Sequence, residues 1–268
     1  MPSILELKQL SKKFGPIQAI DNLSWTAEVG EIFGLLGPNG AGKTTTIRVI
    51  STVLAPTAGT AVVNGQDIVT DAVTARAQFG VLTADFGLYD RLSGRENIRY
   101  TGRLYGLTGE KLERRINELV KTLEMEHFAD RRAGKYSTGM KQKAAIARSI
   151  VHDPPVVIFD EPTAGLDVIA AQTVVKMMKH FRDLGKLVVL STHDMHSAEQ
   201  LCDRVAIIHR GRLIALGSVM DVKQQTQQPD LESAFLTMIG ANEAKAVLRE
   251  AEEKSIDQSN EPKKLWRR

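Results

Sequence analysis

A single cysteine, Cys202, leaves the chain with no intramolecular disulfide to form. That excludes the disulfide-stapled folds and agrees with a reducing environment. No run of about 18 apolar residues occurs, so no membrane-spanning helix is expected. The amino-terminal MPSILELKQL also lacks the basic stretch and long apolar core of a secretory signal. Charge of one sign is not in excess either. Lys and Arg number 35 against 32 Asp and Glu, and a net charge of +3 gives no reason to expect nucleic acid as a partner. Internal repeats and low-complexity tracts are missing. What remains is 268 residues, 43% of them hydrophobic, enough to bury the core of one large α/β domain or two modest ones. Any association with a membrane is expected to be peripheral and to pass through a partner.

Gly37 to Thr44 reads GPNGAGKT and fits the phosphate-binding pattern of Gly, four residues, then Gly-Lys-Ser/Thr. It follows the apolar run EIFGLL, Glu31 to Leu36, and leads into TTTIRVIST, where Ile47 and Ile50 share one side of a helix. Strand, loop and helix are thus in the order the pattern needs. Gly37, Gly40 and Gly42 permit backbone conformations that a Cβ forbids, so successive N–H groups can converge on phosphate oxygens at a helix N-terminus. Lys43 would reach the β- and γ-phosphates and Thr44 would ligate Mg²⁺.

Along the chain, Ile4 to Lys8 alternates as a half-buried strand does, and Leu23 to Thr26 suits another before Gly30. Thr60 to Val63 and Gln66 to Val69 flank Asn64-Gly65, a hairpin signal, so an antiparallel layer is expected beside the nucleotide core. Phe79 to Leu82 is a short apolar run. From Ser93 to about Arg132 the period becomes helical, with Leu112, Ile116, Leu119, Val120 and Leu123 facing one way and Arg114, Arg115 and Lys121 read as a solvated face. A further helix is expected over Gly139 to His152, ended by Asp153-Pro154-Pro155. Then come a strand at Val156 to Phe159, a helix at Val168 to Leu184 and a strand at Leu187 to Leu190 with Ser191-Thr192-His193 at its exit. A hairpin about Arg210-Gly211 and a helix at Leu231 to Ile239 follow. Such alternation argues a mainly parallel sheet with ligands at the carboxyl ends of its strands. Residues 241–268 hold seven Lys/Arg and six Asp/Glu with few large apolars and read as a charged, solvated tail.

Two further stretches carry chemistry. VVIFDEP, Val156 to Pro162, ends a buried strand in two carboxylates. Placed beside the phosphate loop, Asp160 can hold Mg²⁺ and Glu161 can polarise an attacking water. KYSTGMKQK sets Ser137, Thr138 and Gly139 just before a helix, which is an ordinary N-cap and equally a second anion site. Two anion sites separated by helices suggest one ATP gripped by the loop of one subunit and the cap of another. From the local sequence alone Phe14 reads as a packed apolar residue, although an aromatic there could stack on adenine.

The ordered set of GPNGAGKT, STGMKQ, VVIFDEPTAGLD and LSTHD resembles the nucleotide-binding subunits of ABC transporters over nearly everything from Ile4 to Leu216. The resemblance implies an ABC ATPase fold: a P-loop NTPase core, a flanking antiparallel β layer and an inserted helical subdomain at about 93–153, within one domain over residues 1–240. It implies ATP and Mg²⁺ as cofactors, with Gly37, Pro38, Asn39, Gly40, Ala41, Gly42, Lys43, Thr44 and Thr45 around the phosphates, Phe14 stacking on adenine, and Thr44 and Asp160 on the metal. Ser137 and Gly139 would contact the γ-phosphate across a homodimer, Gly165, Leu166 and Asp167 would form its contact loop, and Glu161 and His193 would be catalytic. A membrane-spanning permease and a place at the cytoplasmic face of the membrane follow from the same likeness. Two departures stand out: YSTGM replaces the usual LSGGQ, and the family's glutamine after Phe79 to Leu82 falls at Ala84, with Asp85 next. GLYDRLSGRENIRY and STGMKQKAAIARSIVHDPP narrow the resemblance to the NatA-type ATPases of sodium-exporting transporters. Drug or lipid export is the runner-up cargo. A soluble ABC ATPase of translation or repair would tend to carry two modules or a long coiled coil, and a small-molecule kinase would leave STGM and THD unexplained.

Overall fold

The structure is a computed structural model that describes residues 3–83 and 86–240. Six strands form the central sheet: β3 (Ile32–Leu36), β6 (Phe79–Leu82), β7 (Val156–Asp160), β8 (Leu187–Thr192), β9 (Arg204–His209) and β10 (Arg212–Ser218). Their order is β10-β9-β3-β8-β7-β6, parallel throughout except for the β10·β9 hairpin. The apolar runs read as strands are continuous because both faces of this sheet are covered. Phe33 and Leu35, Val156 and Ile158, and Leu187 and Val189 face one core; Ile32 and Leu36, Val157 and Phe159, and Val188 and Leu190 face the other.

The first core is closed by a four-stranded antiparallel sheet of order β2-β1-β4-β5, comprising β1 (Ser3–Phe14), β2 (Ile17–Glu28), β4 (Ala58–Val63) and β5 (Gln66–Asp67). Trp25 of β2 stacks on Phe33 of β3 with ring centroids 4.6 Å apart, joining the two sheets. Helix α1 (Lys43–Ile50) packs Ile47, Val49 and Ile50 into the same core. β1 and β2 run much longer than the short stretches expected from alternation. Sequence alternation is lost wherever their ladder shifts register, as it does between Leu7 and Leu10. β5 stops at Asp67, not Val69, because the Asp67 carboxylate accepts the backbone N–H groups of Val69 and Thr70 and turns the chain.

Helices cover the second core. The exception is α2 (Ala72–Arg76), a single short turn after β5 with no apolar stripe to announce it, whose buried Ala75 lies in the first core. α3 (Gly94–Leu104) begins at a capping box in which Ser93 and Glu96 satisfy each other's backbone N–H. α4 (Gly109–Thr122) buries Leu112, Ile116, Leu119 and Val120 on one face, as the period requires. The helical reading of Ser93 to Arg132 is thus two helices that end ten residues early. Arg115 is also not a solvated residue: it reaches the carbonyls of Ile150 and Val151 and pairs with Asp153 at 3.2 Å, tying α4 to the next helix. That helix, α5 (Thr138–Ser149), starts one residue earlier and ends three earlier than Gly139 to His152. α6 (Val168–Asp183), α7 (Met195–Leu201), α8 (Val219–Thr226) and α9 (Leu231–Ile239) complete the layer. α7 and α8 are too short to show a period in the sequence. Ala84, Asp85 and the tail 241–268 lie outside the described residues.

Candidate active site

The phosphate loop leaves the end of β3 and enters α1 under tight steric limits. Gly37 has φ 151° and a Cβ there would meet the Ile208 carbonyl oxygen at 2.1 Å; Gly42 has φ 109° and a Cβ would meet that of Ala19 at 2.5 Å. Only glycine lets the loop lie this close to β9 and β2. Gly211 N–H donates to the Ala41 carbonyl at 2.8 Å and pins the buried middle of the loop, while Asn39 and Gly40 stand exposed at its tip beside half-buried Pro38. Helix α1 is capped by Gly42 without any side-chain acceptor, so its first-turn N–H groups face the loop as donors for an anion.

Lys43 sits at the base of the loop, only 5% exposed. Its ammonium donates to the carbonyls of Gly37 at 2.7 Å and Pro38 at 3.3 Å and stands 3.4 Å from Glu161 Oε1. Burial lowers its pKa, opposed by the Glu161 carboxylate. An anion seated in the loop would compete with Glu161 for this ammonium.

Asp160 ends β7 and Glu161 follows it. The two face different partners. Asp160, 6% exposed, accepts the Ser191 hydroxyl at 2.8 Å. Glu161 takes a left-handed backbone, φ 49°, held by its N–H donating to the Ser191 carbonyl at 2.9 Å. His193 Nδ1 lies 3.0 Å from both Glu161 carboxylate oxygens, and its side chain is half exposed. The parallel β7·β8 ladder sets this up, because it pairs Asp160 with Ser191 and so brings two strand exits side by side. Thr44, Asp160 and Glu161 line one cavity of about 690 Å³, bounded by α1, β6, α3 and α5. Thr45 sits beside Thr44 in the first turn of α1, half buried. An exposed hydroxyl and a carboxylate on one wall suit a hard divalent cation, and the loop donors suit the phosphates such a cation accompanies. The residues present therefore fit Mg·ATP.

The remaining predicted residues lie elsewhere. Ser137 caps α5 by accepting from Met140 N–H at 3.3 Å, and Asp167 caps α6 by accepting from Ala170 N–H at 2.8 Å. With Gly139 they line a separate cavity of about 880 Å³ between the first turns of α5 and α6. Phe14 stands at the β1–β2 hairpin tip, 44% exposed, with Lys12 Nζ 5.2 Å from its ring centroid. Its local reading as a packed residue is corrected: a hairpin tip has no core beneath it, and the ring stands partly exposed with the Lys12 ammonium over one face. Gln142 carries a link that sequence reasoning missed. It is 4% exposed, and its amide donates to the Pro162 carbonyl at 3.1 Å, joining α5 to the loop after Glu161. The available signal was a polar residue in line with the small buried face of Ala145 and Ser149.

A family model described as "ABC transporter" matches residues 20–164, a span that contains the phosphate loop, the cap of α5 and both carboxylates. The chain belongs to the ATP-binding subunits of ABC transporters. Among the relatives of this cassette, the ABC transporter ATP-binding protein NatA of Bacillus subtilis (strain 168) is 38% identical over 83% of this chain and 91% of its own length. A Nod factor export ATP-binding protein I of Paraburkholderia xenovorans (strain LB400) is 39% identical over 80% and 70%. The probable multidrug ABC transporter ATP-binding protein YbhF of Escherichia coli (strain K12) is 36% identical over 88% of this chain, which spans only 42% of that relative. A solved ATP-binding subunit of an ABC transporter superposes with TM-score 0.81 at 31% identity, covering 89% of this cassette and 100% of that chain. A dimeric ATP-binding cassette in a post-hydrolysis state with ADP and Pi superposes with TM-score 0.70 at 28% identity, covering 80% and 98%. No helix among the described residues is long and apolar enough to cross a membrane.

Proposed function

We propose that this cassette hydrolyses Mg·ATP between two copies of itself and thereby drives an export transporter from the cytoplasmic face of the membrane, through a membrane-spanning permease. The observation that carries the reading is Glu161, held by His193 at 3.0 Å and one residue beyond Asp160 in the wall that Thr44 shares. Glu161 is the base that orients water and accepts its proton, and His193 keeps that carboxylate aimed and meets the γ-phosphate. Gly37 to Thr45 and the α1 donors bind the phosphates, Lys43 neutralises their charge, and Phe14 offers its exposed ring to adenine. Thr44 and Asp160 would hold Mg²⁺, which would neutralise phosphate charge when bound. Ser137 and Gly139, with Asp167 beside them, lie in the separate cavity. They complete the site of the second copy, an arrangement supported by the dimeric likeness above.

Sodium is the cargo we assign, on the NatA-like stretches GLYDRLSGRENIRY and STGMKQKAAIARSIVHDPP and the 38% identity to NatA. Comparable identity to Nod factor and multidrug subunits keeps an organic cargo as the second reading. The test places the cassette with its cognate permease in inverted vesicles. ATP-dependent radioactive sodium uptake, lost in Glu161→Gln, is expected. Transport of a drug without sodium would overturn the cargo, and unchanged ATP hydrolysis in Glu161→Gln would overturn the catalytic assignment.

A further inference from the structure

The two acids at the end of β7 are held by different means. Glu161 has His193 and Lys43 around it, both within 3.4 Å. Asp160 is almost fully buried, and its carboxylate receives the hydroxyl of Ser191, itself 0% exposed, at 2.8 Å. β8 is apolar from Leu187 to Leu190 and turns polar only where it passes Asp160. A hydroxyl buried at that point costs free energy unless it is bonded, and so does the carboxylate.

We infer that Ser191 is a positioning residue for divalent-cation binding: it fixes the Asp160 carboxylate in the orientation a cation needs. This rests on the proposed Mg·ATP site. Rotation about the last torsion of an aspartate is broad, so a carboxylate without a donor samples many orientations. The Ser191 hydroxyl removes that freedom by occupying one lone pair of Oδ1 and leaving the remaining ones for a ligand. The same residue's carbonyl accepts the Glu161 N–H at 2.9 Å, so one strand position sets the carboxylate of Asp160 through its side chain and the backbone of Glu161 through its main chain. Outer partners of this kind hold ligating carboxylates in metal sites, and their loss typically lowers metal affinity by about 10–100-fold.

The experiment titrates Mg²⁺ into the full chain with trinitrophenyl-ATP, following its fluorescence, for the unsubstituted protein, Ser191→Ala, Ser191→Thr and Asp160→Asn. In EDTA, Ser191→Ala should bind the nucleotide as the unsubstituted protein does, because the loop donors are untouched. The Mg²⁺ concentration that half-saturates the metal-dependent change should rise by about tenfold or more in Ser191→Ala. It should return toward normal in Ser191→Thr, which keeps the hydroxyl. An unchanged Mg²⁺ midpoint in Ser191→Ala would overturn the inference and leave the site standing. Should the unsubstituted protein show no Mg²⁺-dependent change, or should Asp160→Asn retain it, the Mg·ATP site itself is overturned and the inference with it. Ser191→Cys, which keeps an atom at the γ position and is a weaker donor, replaces Ser191→Ala if thermal unfolding shows that the alanine variant is not folded, and is judged by the same midpoint.

Discussion

Glu161 adopts a backbone that non-glycine residues rarely take, φ 49°, which costs of order 1–3 kcal/mol and persists only where the surroundings impose it. Here the Ser191 carbonyl, His193 and Lys43 impose it. Replacing Glu161 by Gln keeps the shape and removes the base, so turnover should fall by roughly 10²–10⁴-fold in a phosphate-release assay while nucleotide binding persists. Lys43→Ala removes the ammonium at the base of the loop. Nucleotide affinity should drop in an equilibrium binding assay while circular dichroism stays that of the folded protein. A third residue gives a pH effect. His152 donates from Nε2 to the Phe79 carbonyl at 3.1 Å, stacks on Tyr105 at 3.6 Å, and its burial pushes its pKa down to about 4. The folded protein keeps this imidazole neutral, whereas the unfolded chain takes up a proton below about 6.5. Stability should therefore fall as pH drops from 6.5 to 4, and stop falling on this account below 4. His152→Phe should flatten that segment of the urea-denaturation profile by about 2 kcal/mol or less, since the ring is only partly buried. The motif residues were legible because their spacing is the chemistry. His152 was not, since its surroundings come from β6 and from Tyr105 just after α3, both distant in sequence.

At the scale of elements, Asn97 anchors the end of the β6–α3 connection. Asn97 in α3 is fully buried; its amide accepts the Tyr89 N–H at 2.8 Å and donates to the carbonyls of Tyr89 at 3.2 Å and Ser93 at 2.9 Å. Asn97→Ala strands those backbone groups, so we expect a loss of about 1–3 kcal/mol in urea denaturation and faster proteolysis between residues 86 and 92. Strands β3, β6, β7 and β8 were readable as apolar runs, and α9 was placed at its observed bounds, because burial pattern and period coincide there. α7 and α8 were missed. Asp194 caps the first, and Ser218 forms a capping box with Asp221 in the second, but helices of seven and eight residues offer too few turns to display a face. The polar end of β8 was read as a strand exit; that Ser191 points at Asp160 depends on a register no local pattern contains.

At the scale of the molecule, Thr44, Asp160 and Glu161 line one cavity of the chain, and Ser137, Gly139 and Asp167 line a separate one. If each completes the other in a second copy, Glu161→Gln with ATP and Mg²⁺ should elute as a dimer on size exclusion. Removal of Mg²⁺ with EDTA should abolish hydrolysis in the unsubstituted protein. A monomer under all conditions would contradict the shared site. The sequence by itself determined the phosphate loop, the paired acids, the parallel core and the helical insert, since glycine spacing, apolar runs and period act over a few residues at a time. Only the tertiary structure decided which strand exits meet, and so which hydroxyl steadies Asp160, which imidazole reaches Glu161 and which ammonium that carboxylate holds. Those contacts join residues about thirty to well over a hundred positions apart through the order and register of a sheet, and neither is written in any local stretch of the chain.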